Sequence, residues 1–175
     1  MHAGVTVTLA RLMVQQGSVT GAVGGADGGG ILNQGMLTLD HAAVNACEAT
    51  GQGGGIYNSA GSSLTLDGST ISYNRSDASG GGIANHGDLV AVVSTISTNT
   101  AAGQGGGIHQ GMASAANLTN VTVYRNSAAL GGAVDPQLGT MTAVNTILAS
   151  SPTGGDCSAP PASLAGDVSG IAVKP

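Results

Sequence analysis

A glycine run closed by a branched apolar residue returns along the whole chain: Gly28–Ile31, Gly53–Ile56, Gly80–Ile83, Gly105–Ile108 and, softened, Gly131-Gly132-Ala133-Val134. The leading glycines, 28, 53, 80, 105 and 131, stand 25, 27, 25 and 26 residues apart. A repeat of that size is one short unit that buries its apolar side only against its neighbours, which is the signature of a solenoid. Collagen is excluded, because the glycines (31 of 175 residues) follow no three-residue period.

Inside each repeat the periodicity is two. Leu64 and Leu66 flank Thr65, while Gly54, Ile56 and Asn58 alternate with Gly55 and Tyr57. Alternation over short pieces bounded by Gly, Ser, Asn and Asp predicts brief strands joined by turns, and no stretch carries a helical stripe. Equivalent strands stacked at about 4.8 Å wind into parallel sheets. The expected fold is therefore all-β: a single-stranded parallel β-helix of about five to six coils of 25–27 residues, with three strands per coil. A right-handed winding is expected from the handedness of parallel crossovers. The expected organisation is a worn N-terminal coil or cap over 1–27, repeats over 28–150 and a C-terminal cap or tail over 151–175.

Three inward ladders follow from the alignment. Ile31, Ile56, Ile83, Ile108 and Val134 form one. Val14, Val44, Ile71, Ile96, Val123 and Ile147 form a second, with an apparent one-residue slip in the last coil. Leu9, Leu39, Leu66, Ala91 and Leu118 form a third. Branched side chains suit such stacks because they pack on a pleated surface at little rotamer cost. With no Trp or Phe and three tyrosines, a narrow aliphatic interior is the kind of core this composition can fill.

Two amide columns read first as scaffold. Asn33, Asn58, Asn85 and Gln110 lie two positions after the core isoleucines, and Asn74, Asn99 and Asn126 close another strand. Stacked amides satisfy one another and the turn backbone. Cys47 holds the place of Asn in that second column and reads as a small buried residue. Cys157 lies beyond the last coil, about four coils or roughly 19 Å away, too far for a disulfide, which leaves intermolecular pairing as its one cross-linking option.

Chemistry is sparse. His109 aligns with Asp135 one coil on, in an outward column that also holds Leu32, Tyr57 and Ala84. A His–Asp couple can orient a general base, but no Ser or Cys nucleophile aligns with it, so a surface pair is the expected role. Asp40 and Asp67 stack, followed by Val92 and Asn120; two carboxylates alone make a poor calcium or glycosidase site. Thr70, Thr95, Thr122 and Thr146 form an outward column flanked by Ser72 and Ser97. Such an array could order water and bind ice, although Thr is also simply a good strand former. Charged residues are few and the formal net charge is −5; Arg11, Arg75, Arg125 and Lys174 are too few for a phosphate backbone, so no nucleic-acid partner is expected. No apolar run is long enough for a membrane span. No cofactor, metal site or catalytic residue is implied.

The strings Gly53-Gly54-Gly55-Ile56-Tyr57-Asn58, Leu64-Thr65-Leu66, Ser69-Thr70-Ile71-Ser72-Tyr73-Asn74 and Asn145-Thr146-Ile147-Leu148, with Gly155-Asp156-Cys157-Ser158 after them, carry a resemblance. From about Val5 to Ser158 the chain resembles the right-handed parallel β-helix repeats of bacterial extracellular proteins of the choice-of-anchor type. It is more distantly similar to the repeats of chlamydial polymorphic outer-membrane proteins. The resemblance implies an extracellular or cell-surface home, although no signal peptide is visible and the chain reads as a fragment or a trimmed copy. It transfers no catalytic residue.

The expected function is a non-enzymatic structural or adhesive module contacting glycans or proteins through its sheet faces, with Tyr57, His109, Asp135, Thr70, Thr95 and Thr122 as candidate surface contacts. A β-helix polysaccharide lyase or hydrolase, and an ice-binding protein, are the alternatives. Open solenoid ends also make end-to-end self-association an expectation, with Pro160-Pro161 and Ser163–Val173 as a candidate C-terminal cover.

Overall fold

A computed structural model describes residues 4–21, 26–136 and 139–158, and among them every regular element is a strand. The strands stack in parallel into four sheets, not three. Sheet A holds the five-residue strands β1 (Thr6–Ala10), β5 (Met36–Asp40), β9 (Ser63–Asp67), β13 (Asp88–Val92), β17 (Ala115–Thr119) and β20 (Thr140–Val144). Sheet B holds β2 (Met13–Gln15), β6 (Ala43–Asn45), β10 (Thr70–Ser72), β14 (Thr95–Ser97), β18 (Thr122–Tyr124) and β21 (Ile147–Ala149).

The additional sheet C is built from two-residue strands, β3 (Ser18–Val19), β7 (Glu48–Ala49), β11 (Arg75–Ser76) and β15 (Thr100–Ala101). Pieces that short carry no legible alternation, so their pairing shows only in three dimensions. Sheet D comprises β4 (Ile31–Asn33), β8 (Ile56–Asn58), β12 (Ile83–Asn85), β16 (Ile108–Gln110) and β19 (Val134–Asp135). The solenoid of stacked parallel coils read from the sequence is thus the architecture of the chain.

The isoleucine ladder stacks in register from Ile31 to Val134. It then continues into Cys157, which bridges to Val134. The leucine ladder also stacks in register, from Leu9 to Leu118, and gains Ala143. The second ladder needs a correction: Val123 pairs with Leu148, which is fully buried, whereas Ile147 pairs with Thr122 and faces solvent. Thr146 moves with it. Its hydroxyl accepts from the Val121 N–H and donates to the Val144 carbonyl, as Ser94, two coils below, accepts from the Ser69 N–H and donates to the Val92 carbonyl.

The first glycine of each corner is left-handed, as Gly53 shows with φ +69, and a Cβ on the next one, Gly54, would run into the carbonyl oxygens of Arg75 and Gly81. Gly154, at φ +81, opens a sixth such corner, in which the Gly131, Gly132, Ala133 and Val134 amides donate to the carbonyls of Gly154, Gly155 and Asp156. Two further corners of each coil are turned by single left-handed residues of almost any type. Arg11, His41, Gly68, Val93, Asn120 and Asn145 join sheets A and B; Gln16, Ala46, Tyr73 and Thr98 join sheets B and C, and Arg125 and Ser150 hold the equivalent position after β18 and β21.

Both amide columns are continuous and fully buried. Asn33, Asn58 and Asn85 each donate to the amide oxygen of the next rung at 2.7 Å, ending on Gln110. Asn74 and Asn99 do the same at 3.0 Å, ending on Asn126. Their oxygens also accept the backbone N–H one coil below, including that of Cys47. In the last coil that acceptor is Asp156, whose carboxylate takes the Ser151 N–H at 2.8 Å. Cys47 is buried, and burial raises its thiol pKa. Cys157 is buried as well, its thiol pushed up to about 11 by burial and by Asp156, so it offers no exposed thiol for intermolecular pairing. The proposed proline cover lies outside the described residues.

Candidate functional site

The outer face of sheet D gathers the ring-bearing and titratable candidates. Its central column runs Leu32, Tyr57, Ala84, His109, Asp135 in register. Ala84 is too small to fill its rung, and His86, from the turn after β12, lies beside Tyr57, their ring centroids 5.0 Å apart. The His86 Nε2 meets the Gln52 side-chain oxygen at 2.9 Å, and the ring approaches His109 edge-on at 6.1 Å between centroids. Gly111 leaves the space that His86 occupies, since a Cβ there would overlap the imidazole.

His109 and Asp135 form a pair, with Nδ1 2.7 Å from Oδ2, but not a surface pair. Their side chains are 7% and 0% exposed. The Ser158 hydroxyl donates to the other carboxylate oxygen of Asp135. Serine therefore bonds to the acid and not to the imidazole, the reverse of a Ser-His-Asp relay, in which the base must receive the serine proton. The group works as a buried clamp holding the closing segment against β19. Burial, and secondarily the neighbouring His109, lower the pKa of His86, partly offset by Asp27. Tyr57 is half-buried, and desolvation with the Asp27 charge raises its phenol pKa.

Sheet B carries the threonine candidates. Thr70, Thr95 and Thr122 stack in register and face outward, half-exposed. Thr146 is buried and does not extend the row; Ile147 stands in its place. Below Thr70 come Ala43 and Met13. Beside them a shallow recess of about 440 Å³ is lined by Arg11, Leu12, Met13, His41, Ala42, Ala43, Gly68 and Thr70. Asp40 and Asp67 stack as expected, but Val92 and then Thr119 continue that column, while Asn120 turns the corner.

The sequence reading missed His86, Gln52 and Ser158. The signal for His86 was present in Ala84, a small residue in an otherwise bulky outward column. Nothing local marked Gln52, which meets His86 from 34 positions away. Comparison of the chain with protein-family models, with curated proteins and with solved structures returns no match.

Proposed function

We propose that this chain is a non-catalytic contact module of a secreted or surface-displayed protein, holding an extended glycan or protein partner against the outer faces of its sheets. The observation that carries the reading is the continuity of sheets A and B. Six rungs follow one another in register, and columns such as Thr8–Thr38–Thr65 and Thr70–Thr95–Thr122 present short polar side chains at one-rung spacing. A rigid, flat, repetitive surface loses little conformational entropy on binding and suits a partner that is itself repetitive. The inner polar residues, by contrast, are already engaged in the amide ladders.

The similarity of the repeats to bacterial extracellular β-helix proteins supports the same reading. The ice-binding alternative rests on a threonine row that is three residues long, and the lyase or hydrolase alternative needs clustered carboxylates, whereas the stacked Asp40 and Asp67 are followed in their column by Val92 and Thr119. A glycan array probed with the purified chain, with calcium and again with chelator, is the test. Reproducible binding to a glycan class supports the module. If neither glycans nor candidate surface proteins bind, the proposal fails.

A further inference from the structure

The chain has three tyrosines and no Trp or Phe, and two of the three project from one edge of sheet B. Tyr73 is 63% exposed and Tyr124 39%. Tyr73 sits in the left-handed corner with φ 57, a conformation unfavourable for a bulky side chain. The corner requires that backbone shape in every coil, but Ala46, Thr98 and Ser150 show that it does not require a tyrosine. Neither ring contributes to the buried core.

The Tyr73 N–H donates to the Ser97 carbonyl, and the Thr98 N–H donates to that of Tyr124. The two tyrosines are thus two rungs apart, roughly 10 Å along the solenoid axis. The rung between them offers only Ser97 and Thr98, both half-exposed and hydroxylated. Two exposed aromatic side chains thus stand two rungs apart with hydroxyl side chains on the rung between them, an arrangement called the saddle below.

We propose that this saddle binds an uncharged polysaccharide strand lying along the axis, with one pyranose ring against Tyr73, another against Tyr124 and the intervening unit over Ser97 and Thr98. The inference rests on the contact-module reading above and names its ligand class and site. A pyranose has an apolar C–H face that packs on an aromatic ring and a hydroxyl rim that bonds to Ser and Thr, which is the amphipathic match the saddle presents. Charge selects the uncharged class. The net charge is −5, Arg75 is paired with Asp77, and Arg125 leans over the Tyr124 ring at 5.8 Å. Among the described residues no row of cations lines the saddle.

The test uses the whole chain with neutral hexaoses of glucose, N-acetylglucosamine and mannose as probes. Ring-labelled tyrosine gives three sets of NMR signals, of which those of Tyr73 and Tyr124 shift on binding and those of Tyr57 do not. Tyr73→Asn removes the ring while suiting the left-handed backbone, so the variant keeps its thermal midpoint and loses affinity by about tenfold or more. Tyr124→Ser loses affinity similarly. A hexaose that binds both variants as tightly as the parent overturns the saddle. Binding of acidic glycans or proteins alone overturns it too, while leaving the contact module standing. Silence toward every glycan and protein removes both.

Discussion

Two histidine–aspartate pairs with nearly the same contact distance sit in opposite environments. His41 and Asp40 meet at 2.5 Å on the corner between sheets A and B, with side chains 63% and 40% exposed. His109 and Asp135 meet at 2.7 Å with 7% and 0% exposed. Water screens the first pair, and two exposed side chains give up rotamer freedom to hold it. The second pair has lost its solvent, so each member depends on the other and on Ser158. Contact distance alone therefore says little about what a pair contributes; the surroundings set the scale.

Breaking the buried pair has the largest expected effect. Asp135→Ala leaves His109 and the Ser158 hydroxyl without their shared acceptor and costs about 3–5 kcal/mol, read from urea denaturation followed by circular dichroism. Next comes the double change His109→Leu with Asp135→Leu, which removes both polar partners. It recovers most of that loss, because an apolar pair of similar volume needs no compensation. A double variant as unstable as Asp135→Ala would show that shape, not charge, holds this corner together.

A smaller, pH-dependent effect belongs to His86. Its folded pKa lies below the ordinary value of 6.5, so the unfolded chain takes up the proton first. The associated stability is fully present above that value and is lost as pH falls from it toward the lower folded pKa. Tyr57, Gln52, His109 and the more distant Asp27 are the groups that face the ring. His86→Gln flattens this part of the profile, checked by denaturation at about pH 7.5 and about pH 5. The smallest effect is expected from Asp40→Asn, a change of no more than about 1 kcal/mol that shrinks further in high salt.

Much of the interior was legible from residue types. The Ile31–Val134 and Leu9–Leu118 ladders and both amide columns stand where the two-residue period puts them. The last coil was misread because Thr146-Ile147 imitates Thr70-Ile71 and Thr95-Ile96 one position early. With a period of two, that single step turns every side chain to the opposite face. Leu148 is therefore inside, Ile147 outside, and Thr146 takes the structural role of Ser94. Cys157 was missed as a ladder member because Asp156 disguises the glycine corner that precedes it.

The candidate site was less legible. Outward alternation correctly brought His109 and Asp135 into one column, yet alternation says only which way a side chain leaves its own strand. Whether it then meets water depends on what another segment lays over it, here His86 from one turn and Ser158 from the closing coil. Likewise, nothing local distinguishes Tyr73 from Thr98 as a corner residue; their stacking beside Tyr124 makes the saddle.

The sequence by itself determined the coil length, the glycine corners and the inward ladders, because glycine geometry and a period of two are local properties repeated often enough to reinforce one another. The tertiary structure alone decided the fourth sheet, the inward turn of Leu148 in place of Ile147, the burial of the His109–Asp135 pair and the placement of the two exposed tyrosines two rungs apart. Each of these depends on contacts between residues about one or more coils apart in sequence, whose pairing is set only when the coils stack.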